Sequence, residues 1–222
     1  MAIPKLQLDT WSHQGSIPQS RDTYQSIKNV LKTSSTPYAG KNYKVFLQGS
    51  YANNTNIYSE SDVDVVIRLN DIFYSNKENL TEQEKIAYSQ AFSSAAYTLS
   101  EFKNDVLNVL IKQYGSAAVK SGSKAITIDG NLSRRKADII VSCQYRKYSW
   151  FHSIEDCRYT KGICFITSSG ERIANYPKQH SANLTDKHQA SSEWLKPTIR
   201  IFKNMRSNLI ANRKIKAGSA PS

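Results

Sequence analysis

Two aspartates, Asp62 and Asp64, stand one residue apart in the run Asp62-Val63-Asp64-Val65-Val66-Ile67-Arg68-Leu69, which alternates as a strand does. Val63, Val65, Ile67 and Leu69 go to one face, and Asp62, Asp64, Val66 and Arg68 to the other. On a strand the two carboxylates point to the same side, with Cα atoms roughly 6–7 Å apart. Like charges held that close repel, and only Arg68 is near enough in sequence to pair them. A cation resolves the conflict. Hard oxygen ligands of this kind suit Mg²⁺, which binds through one or two carboxylates plus phosphate. Taken alone, the pair reads first as a solvated strand face, and its neighbours change that.

Upstream, Phe46-Leu47-Gln48-Gly49-Ser50 is a strand running into a Gly-Ser turn. Glycine lets backbone amides approach an anion, and the serine hydroxyl adds a donor. Gln48, just before the turn, reads either as a strand-end amide or as a contact for an acceptor nucleotide. Eleven residues then separate Ser50 from Asp62, enough for a loop or helical turn returning to an adjacent strand. Downstream, Asp138 opens another apolar run, Ala137-Asp138-Ile139-Ile140-Val141. A phosphate cradle, paired carboxylates and a third carboxylate are the parts of a two-metal phosphoryl-transfer site. In that site Asp62 and Asp64 would bridge both ions, two Mg²⁺ with Mn²⁺ as the alternative. Asp138 would bind the nucleophile-side ion and take the proton.

These residues need elements to position them. Residues 21–32 read as a helix behind Ser20, and Tyr43–Leu47 as a strand. The longest helix is expected from about Thr81 to Tyr114. Thr81 and Glu84 form its capping box, Gly115 its stop, and Phe92, Ala95, Leu99, Phe102, Val106 and Val109 its apolar stripe. Strands follow at about Lys124–Ile128, Ala137–Gln144 and Ile163–Thr167, then an irregular polar stretch from Ser168 to Gln189. A last helix is expected from near Ser192, with Trp194, Thr198, Phe202, Met205 and Leu209 on one side. The order is that of an α/β sheet domain leading into a helical segment.

Composition narrows the class. The 222 residues carry 30 Lys+Arg against 18 Asp+Glu, a net charge of +12 that favours polyanions such as nucleotides or nucleic acid. Seven basic residues and no acidic one follow Glu193, and Lys196, Arg200 and Lys203 share a helical face that reads either as a solvated basic surface or as a site for triphosphate capture. No apolar run reaches the roughly 20 residues that span a bilayer. The N-terminus lacks a signal-peptide layout. The expectation is a cytoplasmic protein with no membrane partner. Cys143, Cys157 and Cys164 contain no CxxC pair and read as reduced thiols rather than as zinc ligands with His152 and His180. The run Arg134-Arg135-Lys136 reads as a solubilising loop or as a lining of the groove.

The segment QGSYANNTNIYSESDVDVVIRL resembles the Gly-Ser then Asp-x-Asp signature of the polymerase β-like nucleotidyltransferases. More narrowly, with WSHQGS, NYPKQHSANLTDKHQ and FKNMRSNLI, it resembles the bacterial cGAS/DncV-like nucleotidyltransferases. The resemblance runs from about Leu8 to Ser222. It implies an α/β (α+β) fold of two lobes: a mixed sheet bearing Asp62, Asp64 and Asp138, and a helical lobe closing over the nucleotide. Residues 1–180 would form the catalytic core and 181–222 the start of the helical lobe, incomplete at its C-terminus. Lys203 matches the family's phosphate lysine and Ser222 a serine that contacts nucleotide. The resemblance further implies NTP substrates, Mg²⁺, and cyclic di- or trinucleotide products acting on downstream effectors in anti-phage defence. A nucleic-acid partner is compatible with the charge but not required. Two other functions fit the same residues: a nucleotidyltransferase that modifies RNA or protein, and a catalytically inactive nucleotide-binding module.

Overall fold

The carboxylate strand is an interior strand of the sheet, one in from its edge, and its apolar face packs on the core. In the computed structural model, which describes residues 3–15, 17–59 and 62–216, β2 (Val63–Asn76) pairs in parallel with β5 (Ala137–Phe151). β1 (Tyr43–Leu47) flanks β2 in antiparallel sense. On the far side of β5 lie β4 (Ile126–Ile128) and β3 (Val119–Ser121), also antiparallel, giving the order β1-β2-β5-β4-β3. The second half of β5 continues into a hairpin with β6 (Cys157–Ile166), and β7 (Arg172–Asn175) pairs with β6. This is the mixed sheet that the polymerase β-like resemblance implies.

A parallel pair needs a crossover. It runs through α4 (Glu82–Ala91) and α5 (Leu99–Tyr114) rather than through one long helix. The single-helix expectation misses a second capping box. Thr98 Oγ1 accepts from the Glu101 amide, and the Glu101 carboxylate accepts from the Thr98 amide, which restarts the helix. Phe92 caps α4 in extended conformation and turns instead into an aromatic cluster with Phe73, Tyr88 and Phe151. α5 then lays Phe102, Val106 and Leu110 on Val63, Val65, Ile67 and Leu69, together with Ile27 and Leu31 of α2 (Ile17–Leu31). Each such side chain contributes roughly 1.5–3 kcal/mol on burial, so the core clamps the strand whose opposite face carries the aspartates.

The stretch from Ser168 to Gln189 is not irregular. It contains β7 and α6 (Pro177–Ala190), which begins on a first-turn proline and buries no residue. A helix without an apolar stripe gives no periodic signal to read. The last helix is α7 (Leu195–Ala211), and of the residues expected on one side of it Trp194, Phe202 and Leu209 are exposed. Its contacts run instead to α1 (Lys5–Ser12): Asn204 Nδ2 donates to the Trp11 carbonyl at 3.0 Å, and Arg200 donates to the carbonyls of Ser12 and Asn54.

Candidate active site

The β2–β5 register sets Asp64 directly opposite Asp138, and the β4–β5 register sets Asp138 opposite Thr127. Thr127 Oγ1 donates to Asp138 Oδ1 at 2.6 Å, fixing one oxygen of that carboxylate and leaving the other toward its neighbours. Asp62 lies just before β2. Beside it, Lys136 lies just before β5, and the Val63 amide donates to the Lys136 carbonyl at 2.9 Å. The Lys136 ammonium sits 2.7 Å from Asp62 Oδ2 and 3.9 Å from Asp138 Oδ2. Its hydrogen bond to Asp62 holds its pKa above the ordinary lysine value.

The Gly-Ser turn closes on the same point. The Gln48 amide donates to the Asp64 carbonyl at 3.0 Å, extending the β1–β2 ladder to the first residue of the turn. Gly49 then takes φ +70°, and a Cβ built there would lie 2.0 Å from Asp64 Oδ2. The absent side chain is the space the carboxylate fills. Ser50 follows in the short helix α3 (Gly49–Ala52), and its carbonyl accepts from the Thr55 amide at 2.9 Å.

Asp64 feels this crowding. Burial, then the charges of Asp138 and Asp62, push its carboxyl up to about 6, while Lys136 and Lys203 pull it back. Lys203, on α7, is near enough for its charge to lower the Asp64 pKa. Lys196 and Arg200 do not share that role. Lys196 is buried and donates to Thr185 Oγ1 at 3.3 Å, and Arg200 is spent on carbonyls of the N-terminal segment. Ser222 lies outside the described residues. Arg134 and Arg135 stack on Tyr114 and Tyr58.

A cavity of about 640 Å³ opens beside the turn, walled by Phe46, Gln48, Gly49 and Asn53 on one side and by Asn175 and the first turns of α6 on the other. Gln48 Oε1 and Asn53 Oδ1 are buried there with no hydrogen-bond partner among the described residues. Buried polar atoms of that kind call for a ligand or water. The α6 wall escapes sequence reading for want of periodicity. Thr127 escapes because its place depends on a strand pairing. Lys136 was legible: two residues before Asp138, it falls on the same strand face.

Among the described residues no three acidic, His or Cys side chains close into a ready-made metal cage. Mg²⁺ does not require one, since it keeps waters and is completed by substrate phosphates. Asp62, Asp64 and Asp138 supply hard oxygen donors, and an ammonium already compensates two of them. The donor set therefore fits a divalent cation.

One test follows from Asp64. Its folded-state pKa lies above the ordinary 3.8, so the metal-free fold keeps a proton that the unfolded chain releases. This stabilisation is full below the unfolded value and is lost as pH rises through about 6. Melting temperature in EDTA should therefore fall across that window, and Asp64→Asn should flatten the slope. Mg²⁺ at neutral pH should raise the melting temperature of the wild type and not of the variant.

A mixed sheet with carboxylates on paired parallel strands, facing a Gly-Ser turn, defines a nucleotidyltransferase. Residues 26–114 match the model of the nucleotidyltransferase domain, and residues 182–222 that of the cGAS/DncV-like nucleotidyltransferase C-terminal helical domain. The chain is 41% identical over 218 residues to the cyclic nucleotide synthase CdnE01 of Staphylococcus haemolyticus, covering 97% of this chain and 72% of that protein. It is 41% identical over 211 residues to the cyclic UMP-AMP synthase of Rhodothermus marinus, covering 95% and 70%. The solved structure of the Rhodothermus marinus CdnE c-UMP-AMP synthase with Apcpp and Upnpp superposes with a TM-score of 0.84 at 37% identity, covering 99% of this chain and 72% of that one. The chain belongs to the cGAS/DncV-like nucleotidyltransferases. It is an enzyme of nucleotidyl transfer, and no helix among its described residues is long and apolar enough to cross a membrane.

Proposed function

We propose that this enzyme joins NTPs into a cyclic di- or trinucleotide, a second messenger for a downstream effector in anti-phage defence within the cytoplasm. The observation that carries the chemistry is the register of Asp64 against Asp138, with Gly49 packed on Asp64. Asp62, Asp64 and Asp138 would hold two Mg²⁺, or Mn²⁺, which supply the charge that activates a hydroxyl and stabilises pyrophosphate. A 2′- or 3′-hydroxyl oxygen of one nucleotide forms a bond to the α-phosphorus of the next, the bond to pyrophosphate breaks, and the hydroxyl proton passes to Asp138 Oδ2, the oxygen that Thr127 does not hold. Gly49, Ser50 and Lys203 receive the triphosphate, Gln48 orients the acceptor, and Ser222 adds a nucleotide contact. The cavity between Phe46 and α6 takes a base. Kinship with synthases that share 41% of its residues supports cyclisation.

The net charge of +12 favours one other acceptor, RNA. Incubation with α-³²P-labelled NTPs and Mg²⁺, followed by phosphatase and mass spectrometry, separates the two. A phosphatase-resistant product of two or three nucleotides is expected, and label confined to added RNA or to protein would overturn the synthase reading.

A further inference from the structure

Beyond Phe46 the same face of the sheet carries a second, smaller cavity of about 290 Å³. Lys44, Arg68 and Lys161 line it with Asn70 and Gln144, and no acidic residue does. Among the described residues none of the three cations forms an ion pair. Lys44 and Lys161 are exposed, but Arg68 is half-buried, and burial depresses its pKa. A desolvated cation without a counter-ion is costly and is satisfied by an anion.

The cavity is shaped for one. Arg68 Nε donates to Asn70 Oδ1 at 2.9 Å, which fixes the guanidinium plane. Gln144 Nε2 donates to the Asn70 carbonyl at 3.2 Å and ties β5 to that corner. A fixed guanidinium fork flanked by two mobile ammoniums matches the oxygens of a phosphate chain.

Its position says whose phosphates. Lys44 lies opposite Arg68 across β1–β2, and alternation puts both on the face that carries Phe46 and Asp64. Arg68 is four residues along β2 from Asp64, roughly 13 Å away. That separation is comparable with the span of one nucleotide from its ribose hydroxyls to its terminal phosphate. A donor nucleotide must place its own α-phosphate at the carboxylates and its tail at Gly49, Ser50 and Lys203. The acceptor places a hydroxyl at the carboxylates, so its 5′-phosphates run the other way.

We infer that Lys44, Arg68 and Lys161 form a polyphosphate subsite that holds the 5′-triphosphate of the acceptor nucleotide. This rests on the synthase reading of the neighbouring carboxylates. Metal-free protein in EDTA, titrated calorimetrically with inorganic tripolyphosphate, is expected to bind it, and K44Q/R68Q to bind about tenfold more weakly or worse. K44Q/K161Q, which removes only exposed lysines, is the second variant and should weaken binding in the same direction. In turnover, wild type should prefer an acceptor with a 5′-triphosphate over the same nucleoside with a 5′-hydroxyl. Both variants should lose that preference while using the 5′-hydroxyl acceptor at the wild-type rate.

Absence of tripolyphosphate binding by wild type, or equal binding by wild type and both variants, overturns the subsite. Weakened binding with the acceptor preference intact overturns the acceptor assignment and leaves a site for free polyphosphate. If wild type makes no phosphodiester from NTPs and Mg²⁺, the synthase reading and the acceptor assignment fail together, and the calorimetric comparison still decides whether the anion site exists.

Discussion

Asp62→Asn combined with Asp64→Asn is expected to abolish product formation while leaving the fold intact. Each substitution keeps shape and removes one anionic oxygen that the proposed metal site needs. Losing several kcal/mol of transition-state charge stabilisation corresponds to at least about 10³-fold in rate. Stability should not fall with it. Asp62 is exposed, and ionising Asp64 works against the fold, as its carboxyl pushed up to about 6 shows. The double variant should therefore melt no lower than wild type in EDTA at neutral pH, with the amide removing the cost of a crowded charge. Product quantified by mass spectrometry beside a thermal melt checks both halves. Undiminished product from a well-folded double variant would place the chemistry elsewhere.

Gly49→Ala tests the opposite dependence, of the carboxylate on the turn. The added methyl would sit 2.0 Å from Asp64 Oδ2 and 2.8 Å from its Cγ, at φ +70°. Either Asp64 rotates away from Asp138 or the turn shifts, and both outcomes break the arrangement that the proposed chemistry needs. A fall of about 10²-fold or more in rate is expected, since small displacements at a reacting centre cost that much. A loss of about 1–2 kcal/mol in stability should accompany it, from the left-handed backbone and the clash. Gly40→Ala is the control, because nothing lies within 4 Å of a Cβ there. Activity of Gly49→Ala equal to that of the control would show that the close approach does not matter.

What the sequence disclosed about this site follows from how local each signal is. The Asp62-Val63-Asp64 alternation and the Gly49-Ser50 turn are short-range patterns, and the structure brings them together as expected. Asp138 was visible as an acid opening an apolar strand, but its place opposite Asp64 depends on a parallel register that no local pattern encodes. Lys136 was in view but read with Arg134 and Arg135 as one basic run, although only Lys136 reaches the aspartates and the two arginines stack on tyrosines. The apolar stripe across residues 92–109 hid the break before α5, because periodicity can continue through a loop by chance. The Thr98–Glu101 capping box marked that break. Trp194 and Phe202, which the spacing sets on one side of the last helix, are exposed, and α7 is held to the N-terminal segment through polar contacts from Arg200 and Asn204, which hydrophobic spacing does not report.

The parallel pairing of β2 with β5 also governs how the enzyme comes into being. α4, α5 and the β3–β4 hairpin all lie between the two strands in sequence and can form from near neighbours. The pairing itself closes a long loop, the kind of contact that slows folding. A chain emerging during synthesis therefore carries Asp62, Asp64 and the Gly-Ser turn well before β5 exists to set Asp138 beside them. The candidate site is assembled late, by the same closure that completes the core, so a nascent chain does not bring its three aspartates together until its sheet is joined.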